Sequence, residues 1–145
     1  MFSSNKNNHA TLVKFDTIIG NTITIEGNLH LSGNVRVDGK VIGNISPING
    51  KEVIVAIGEN GVINGDIQCN HLIVSGTVIG NINAAHKVEI LDHAKIEGDV
   101  AYNLLSMDPG SIITGHLLCN LIQSEIDSEN LAKSTIQQAQ ERAGL

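Results

Sequence analysis

The sequence predicts an all-β chain wound into a β-solenoid of about six coils, on three observations. A glycine followed by a polar and then an aliphatic residue recurs at Gly27, Gly43, Gly65, Gly80, Gly98 and Gly115, at separations of 16, 22, 15, 18 and 17. Between these marks one unit returns five times: VRVDGKVIGNI, VIVAIGENGVINGDI, LIVSGTVIGNI, VEILDHAKIEGDV and LLSMDPGSIITGHL. The third observation is compositional. Hydrophobic residues make up 41% of 145, yet aromatics are 2%, namely Phe2, Phe15 and Tyr102. A core of Ile, Val, Leu and Ala fits narrow, stacked geometry, where β-branched side chains favour strands.

Taken in order, residues 1–16 (MFSSNKNNHATLVKFD) carry no repeat and are expected to form a flexible N-terminal tail. Residues 17–121 hold the coils. Each unit begins with an alternating aliphatic pair, as period-two strands require. A polar turn follows, with DG, GENG, SG, DH and DPG as turn chemistry. The word VIGNI occurs at Val41–Ile45 and again at Val78–Ile82. Its Val41, Ile45, Val78 and Ile82 are expected to point inward, while Gly-Asn turns a corner at which Asn bonds local backbone.

The long separation of 22 contains SPINGKE, Ser46 to Glu52, read as an inserted surface loop opened by Pro47. Superposing the coils on the mark places Leu31, Pro47, Cys69, Ala84, Tyr102 and Cys119 in one axial column. Cys69 and Cys119 then lie three coils apart, roughly 14 Å at strand spacing. That is too far for a disulfide, so both are expected to be reduced. Residues 122–145 are polar and off-repeat; Ile126, Leu131, Ile136 and Ala139 make an incomplete helical stripe, expected to be disordered or partly helical.

The chemistry of known sites is largely excluded. A formal charge of -6 and a pI near 5.4 argue against nucleic acid, whose phosphates need clustered Lys and Arg. No run of some 18 apolar residues is present. GNVRVDGKV departs from a phosphate loop, since five residues separate Gly33 from Gly39 and Val41 replaces the hydroxyl. His71 and His86 fall at nearly the same place in adjacent coils, but two ligands are too few for zinc. Asp66 and Asp99 replace the Asn of the mark as turn formers rather than as a carboxylate pair. No catalytic, cofactor or metal residue is therefore assigned, and no cofactor is expected. Two rival classes stay open. Gly27, Gly33 and Gly39 fall six apart, as in hexapeptide-repeat acyltransferases, and a monomeric solenoid can serve as a binding module.

The stretch TIIGNTITIEGNLHLSGNVRVDGKVIGNI, with LIVSGTVIGNI and KIEGDV later, resembles the bactofilins, bacterial polymer-forming cytoskeletal proteins, over about residues 17–120. The resemblance implies a right-handed parallel β-helix and nucleotide-independent filaments built by end-to-end stacking. It also implies roles in cell shape or in positioning envelope proteins such as cell-wall enzymes, and no enzymatic activity. The family often starts with a short membrane-targeting peptide, which MFSSNKNN resembles at Met1, Phe2 and Lys6. The expected location is cytoplasmic, peripheral at the inner face of the membrane.

Solenoid physics points to the same surfaces. Each end has unpaired strand edges and apolar residues, which natural proteins cap unless pairing is the purpose. The expected polymer interface is Ile23, Ile25 and Leu29 in the first coil and Ile112, Leu117 and Leu121 in the last. Joining ends buries apolar surface worth on the order of 10 kcal/mol, against an association cost of ~4–15 kcal/mol. Backbone ladder bonds between coils must then tip the balance.

Overall fold

Alternation and turn chemistry divide the chain into short strands, and the computed structural model, which describes residues 13–121, groups them as six coils of three. The first coil holds β1 (Thr17–Ile19), β2 (Thr24–Glu26) and β3 (Leu29–Leu31), and the second β4 (Val35–Val37), β5 (Lys40–Ile42) and β6 (Ile45–Pro47). The third begins with β7 (Ile54–Ile57) and β8 (Val62–Asn64). β9 (Ile67–Val74) closes the third coil and opens the fourth, which continues in β10 (Thr77–Ile79). β11 (Ile82–Ile90) likewise joins the fourth to the fifth, which ends in β12 (Lys95–Glu97) and β13 (Val100–Tyr102). The last coil is β14 (Leu104–Met107), β15 (Ile112–Thr114) and β16 (Leu117–Cys119).

Like strands pair in parallel from coil to coil and build three faces. Face 1 stacks β1, β4, β7, the second half of β9, the second half of β11, and β14. Face 2 stacks β2, β5, β8, β10, β12 and β15. Face 3 stacks β3, β6, the first halves of β9 and β11, then β13 and β16. This is the expected parallel β-solenoid of about six turns.

The register turns the aliphatic alternation into axial columns. Val35, Val55, Leu72 and Val88 line up on face 1, Val41, Ile63, Val78 and Ile96 on face 2, and Ile45, Ile67, Ile82 and Val100 on face 3. All are buried. No polar or charged residue is buried among the described residues, so the core owes nothing to hydrogen bonding between side chains. Identical small aliphatics stacked at strand spacing fill such a tube without rings. Of the expected column of Leu31, Pro47, Cys69, Ala84, Tyr102 and Cys119, three neighbouring pairs are in register: Leu31 with Pro47, Cys69 with Ala84 and Tyr102 with Cys119.

The irregular spacing of the marks resides in the corners. Between faces 1 and 2, two residues (75–76) join β9 to β10, whereas four (91–94) join β11 to β12. The long separation comes from residues 48–53, so the inserted loop starts at Ile48. Ser46 and Pro47 belong to β6, one strand earlier than expected.

The mark itself is a contact between coils. Gly80 has φ +152°, which L side chains rarely adopt, and a Cβ there would strike the carbonyl of Gly65 in the coil before. The following residue builds a ladder along the axis. The Asn44 N–H donates to Asn28 Oδ1 at 2.8 Å, Asp66 N–H to Asn44 Oδ1 at 2.9 Å, Asn81 N–H to Asp66 Oδ1 at 2.9 Å, and Asp99 N–H to Asn81 Oδ1 at 3.0 Å. The expectation of local bonding is thereby corrected. The side chain serves the next coil's backbone, and Asp substitutes for Asn because only its acceptor oxygen is used.

Candidate functional site: the open ends of the solenoid

Among the described residues, the inward columns are sealed in the middle and open at both ends. In the first coil Ile25, Leu29 and Leu31 pack against the core but are only partly buried. In the last coil Leu105 and Ile113 are likewise half covered, and Leu117 is 44% exposed although its register partner Val100 is buried. Among the described residues, each terminal coil also presents strands with a partner on one side only: β1, β2 and β3 at one end, β14, β15 and β16 at the other. Unpaired N–H and C=O groups beside exposed aliphatics form a surface that another strand layer would complete.

The structure distributes the six expected interface residues unevenly. Ile25, Leu29 and Leu117 sit in the inward columns, facing the axis. Ile23 occupies the corner before β2 and Leu121 follows β16, both exposed. Ile112 is 52% exposed and pairs with Lys95, on the outward side of face 2. The neighbour that looks inward is Ile113, aligned with Ile96. Sequence reasoning missed it, along with Leu105 and Met107, because Ile112 and Ile113 are alike and neither shows the phase of alternation. The column through Ile25, Val41, Ile63, Val78 and Ile96 is the signal that identifies it. Met1, Phe2 and Lys6, like the segment after residue 121, lie outside the described residues.

At the last coil the mark ladder changes character. His116 holds the ladder position, its N–H donates to Asp99 Oδ1 at 3.0 Å, and its ring Nδ1 lies 3.0 Å from the same oxygen. These hydrogen bonds hold the Asp99 carboxyl below its usual range. A ring that turns back on Asp99 offers no acceptor oxygen to a following N–H, so the ladder stops here.

Other candidates for chemistry separate in space. His71 aligns with Lys87 rather than with His86, because the β9–β11 register shifts between Ala84 and Lys87. His86 is therefore the chain neighbour of the residue opposite His71, and the His71 ring is engaged elsewhere, its Nε2 lying 3.1 Å from Glu89 Oε2. No group of three potential metal ligands occurs among the described residues. Cys69 and Cys119 are free thiols three coils apart; burial pushes the Cys69 thiol up to about 12, leaving it protonated and unreactive at neutral pH.

The sequence profile of the bactofilins, described as polymer-forming cytoskeletal, matches residues 17–118 of this chain. The chain belongs to the bactofilin family. Bactofilin BacO of Myxococcus xanthus (strain DK1622) is 30% identical over 107 residues, covering 74% of this chain and 82% of BacO. Bactofilin BacP of the same organism is 33% identical over 85 residues, which are 59% of this chain and 34% of BacP. No solved structure gives a significant match. The matched segment of this bactofilin spans the solenoid from β1 into β16. That places the chain in a family described as polymer-forming and cytoskeletal.

Proposed function

We propose that this bactofilin is a non-enzymatic filament subunit that assembles without nucleotide, by stacking solenoids end to end. The observation that carries the reading is the opening of the inward columns at both terminal coils, beside strand edges with no second partner among the described residues. Ile23, Ile25 and Leu29 at one end and Ile112, Leu117 and Leu121 at the other contribute the interface, joined by Ile113. Burial of these aliphatics offsets part of the association cost, and new ladder bonds supply direction and register.

The same reading makes Met1, Phe2 and Lys6 a membrane-targeting peptide that holds the filament at the inner face of the cytoplasmic membrane, where it scaffolds cell-wall enzymes or other envelope proteins. Inserting two apolar side chains yields roughly 1.5–3 kcal/mol each. This is weak for one subunit and strong for a polymer through avidity.

Electron microscopy of the purified protein without nucleotide is the test. Filaments are expected from the unmodified chain and only dispersed particles from Leu117→Arg or Ile23→Arg, with circular dichroism checking that both variants keep their strands. Filaments that persist in both folded variants would refute stacking through these coils. Deleting residues 1–8 is expected to abolish flotation with liposomes while leaving filaments intact.

A further inference from the structure

Asparagine followed by glycine occurs three times in the chain, at Asn49-Gly50, Asn60-Gly61 and Asn64-Gly65. In this pair an asparagine is most open to attack by its own backbone, because glycine sets no Cβ beside the amide nitrogen that must reach the side-chain carbonyl. All three asparagines are exposed, and Asn49 and Asn64 share the same local sequence, Ile-Asn-Gly. Neither exposure nor sequence separates them; the state of the glycine nitrogen does. The Gly61 N–H donates to the Gly58 carbonyl at 2.8 Å, closing the corner between β7 and β8, and Gly61 is buried against the Val37 carbonyl. The Asn64–Gly65 peptide is held on both sides. Its N–H donates to the Ile79 carbonyl at 2.9 Å in the coil after, and its carbonyl accepts the Gly43 N–H at 3.0 Å from the coil before.

Gly50 differs on each count. It lies in the inserted loop, residues 48–53, where the Lys51 N–H donates to the Ile48 carbonyl at 3.0 Å and makes Asn49 and Gly50 the two central residues of a turn. Its φ of +79° is the value that glycine supplies at the second central position of a type II turn. Among the described residues no group accepts the Gly50 N–H or donates to the Asn49 carbonyl. Gly50 is exposed, and nothing lies within 4 Å of the place a Cβ would take. The Asn49–Gly50 peptide can therefore rotate without breaking a contact between coils.

We infer that Asn49 is a site of spontaneous covalent modification, deamidation through a succinimide, and that the solenoid shields Asn60 and Asn64 from the same reaction. The Gly50 nitrogen gives its proton to a base in the solvent and bonds to Asn49 Cγ. The bond from Cγ to the side-chain nitrogen breaks, and that nitrogen takes up a proton and leaves as ammonia. Water then opens the five-membered ring. Attack at Cγ restores the ordinary backbone with aspartate, whereas attack at the main-chain carbonyl leaves the chain running through the side chain, as isoaspartate. One water enters and one ammonia departs, with no oxidant or reductant. Either product adds a carboxylate beside Lys51 and Glu52, in a loop between the second and third coils and away from both ends, so the reaction is independent of filament assembly.

The test incubates the full-length protein in warm, mildly alkaline buffer, with circular dichroism to confirm that it stays folded. Samples taken over time are digested at mildly acidic pH and the three peptides read by mass spectrometry for the exchange of ammonia for water. Conversion at Asn49 is expected to outrun that at Asn60 and Asn64 by at least about tenfold, since the latter two must wait for local opening of the corner or the coils. In the same chain unfolded in guanidinium chloride the three rates should converge, Asn49 and Asn64 most closely because their neighbours match. Gly50→Ala is expected to slow conversion at Asn49 by crowding the attacking nitrogen, leaving the other two sites as they were. Folded protein that converts at Asn60 or Asn64 as fast as at Asn49 overturns the proposal. So does an Asn49 that stays intact in the fold while the unfolded chain reacts, or a preference for Asn49 that is undiminished on unfolding.

Discussion

The side chain of Asn81 accepts the N–H of Asp99 at 3.0 Å, one coil further along the axis, while its own N–H donates to Asp66. A residue that a loop statistic would assign to a turn is thus a rung between three coils. Each rung exchanges water for a protein partner on a half-exposed edge, worth roughly 0.5–1.5 kcal/mol.

Asn81→Ala is expected to lower stability by about that amount, with little dependence on salt. Asn81→Asp keeps the acceptor but sets three carboxylates in consecutive coils, Asp66, the new Asp and Asp99, where the native ladder never places two together. Its loss should appear at low ionic strength and shrink at high salt. Denaturant unfolding at two salt concentrations checks both; a salt-independent Asn81→Asp would contradict the ladder.

Two glycines of the same chain should behave oppositely. Gly80→Ala meets both the φ of +152° and the Gly65 carbonyl, and is expected to cost several kcal/mol on the scale of backbone strain plus overpacking. Gly20 has nothing within 4 Å of an added Cβ and no unusual φ, so Gly20→Ala should stay within about 0.5 kcal/mol of the parent. Thermal unfolding of the pair reads the difference.

Cys69 supplies an alkaline signature. Its thiol titrates at about 12 in the fold instead of its ordinary 9.0, through desolvation. Between these values the unfolded chain has released the proton and the native one has not. Stability is therefore whole below pH 9.0 and falls as pH rises toward 12, at about 1.4 kcal/mol per pH unit. Cys69→Ala should flatten that part of the profile, and alkylation at pH 8 should modify Cys119 well before Cys69.

Acid should loosen the last coil first. His116 depresses the Asp99 carboxyl by hydrogen bonding, so the stabilisation is present above the ordinary carboxylate range and is lost as pH falls through the lowered value. In His116→Ala the Asp99 titration, followed by NMR, is expected to move up toward a free carboxylate. An unmoved Asp99 would show that the pairing seen in the fold is not kept in solution.

The coil count, the inward columns and the corners were legible in the linear pattern, because period-two alternation and a punctuating Gly-Asn or Gly-Asp are properties of neighbouring residues. Val41, Ile45, Val78 and Ile82 read as core on that ground alone, and all four are buried. The ends were legible in part. Ile25, Leu29 and Leu117 show their phase, whereas Ile112 and Ile113, two like residues in succession, do not.

What the sequence by itself determined is a stack of aliphatic coils with two unfinished ends. Only the tertiary structure decided which residues meet along the axis: that Asn81 serves Asp99, and that the His71 ring reaches Glu89. Those contacts join residues 15 or more apart through corners of one to six residues. A single residue more or less in any corner moves every partner, and no local pattern records that sum.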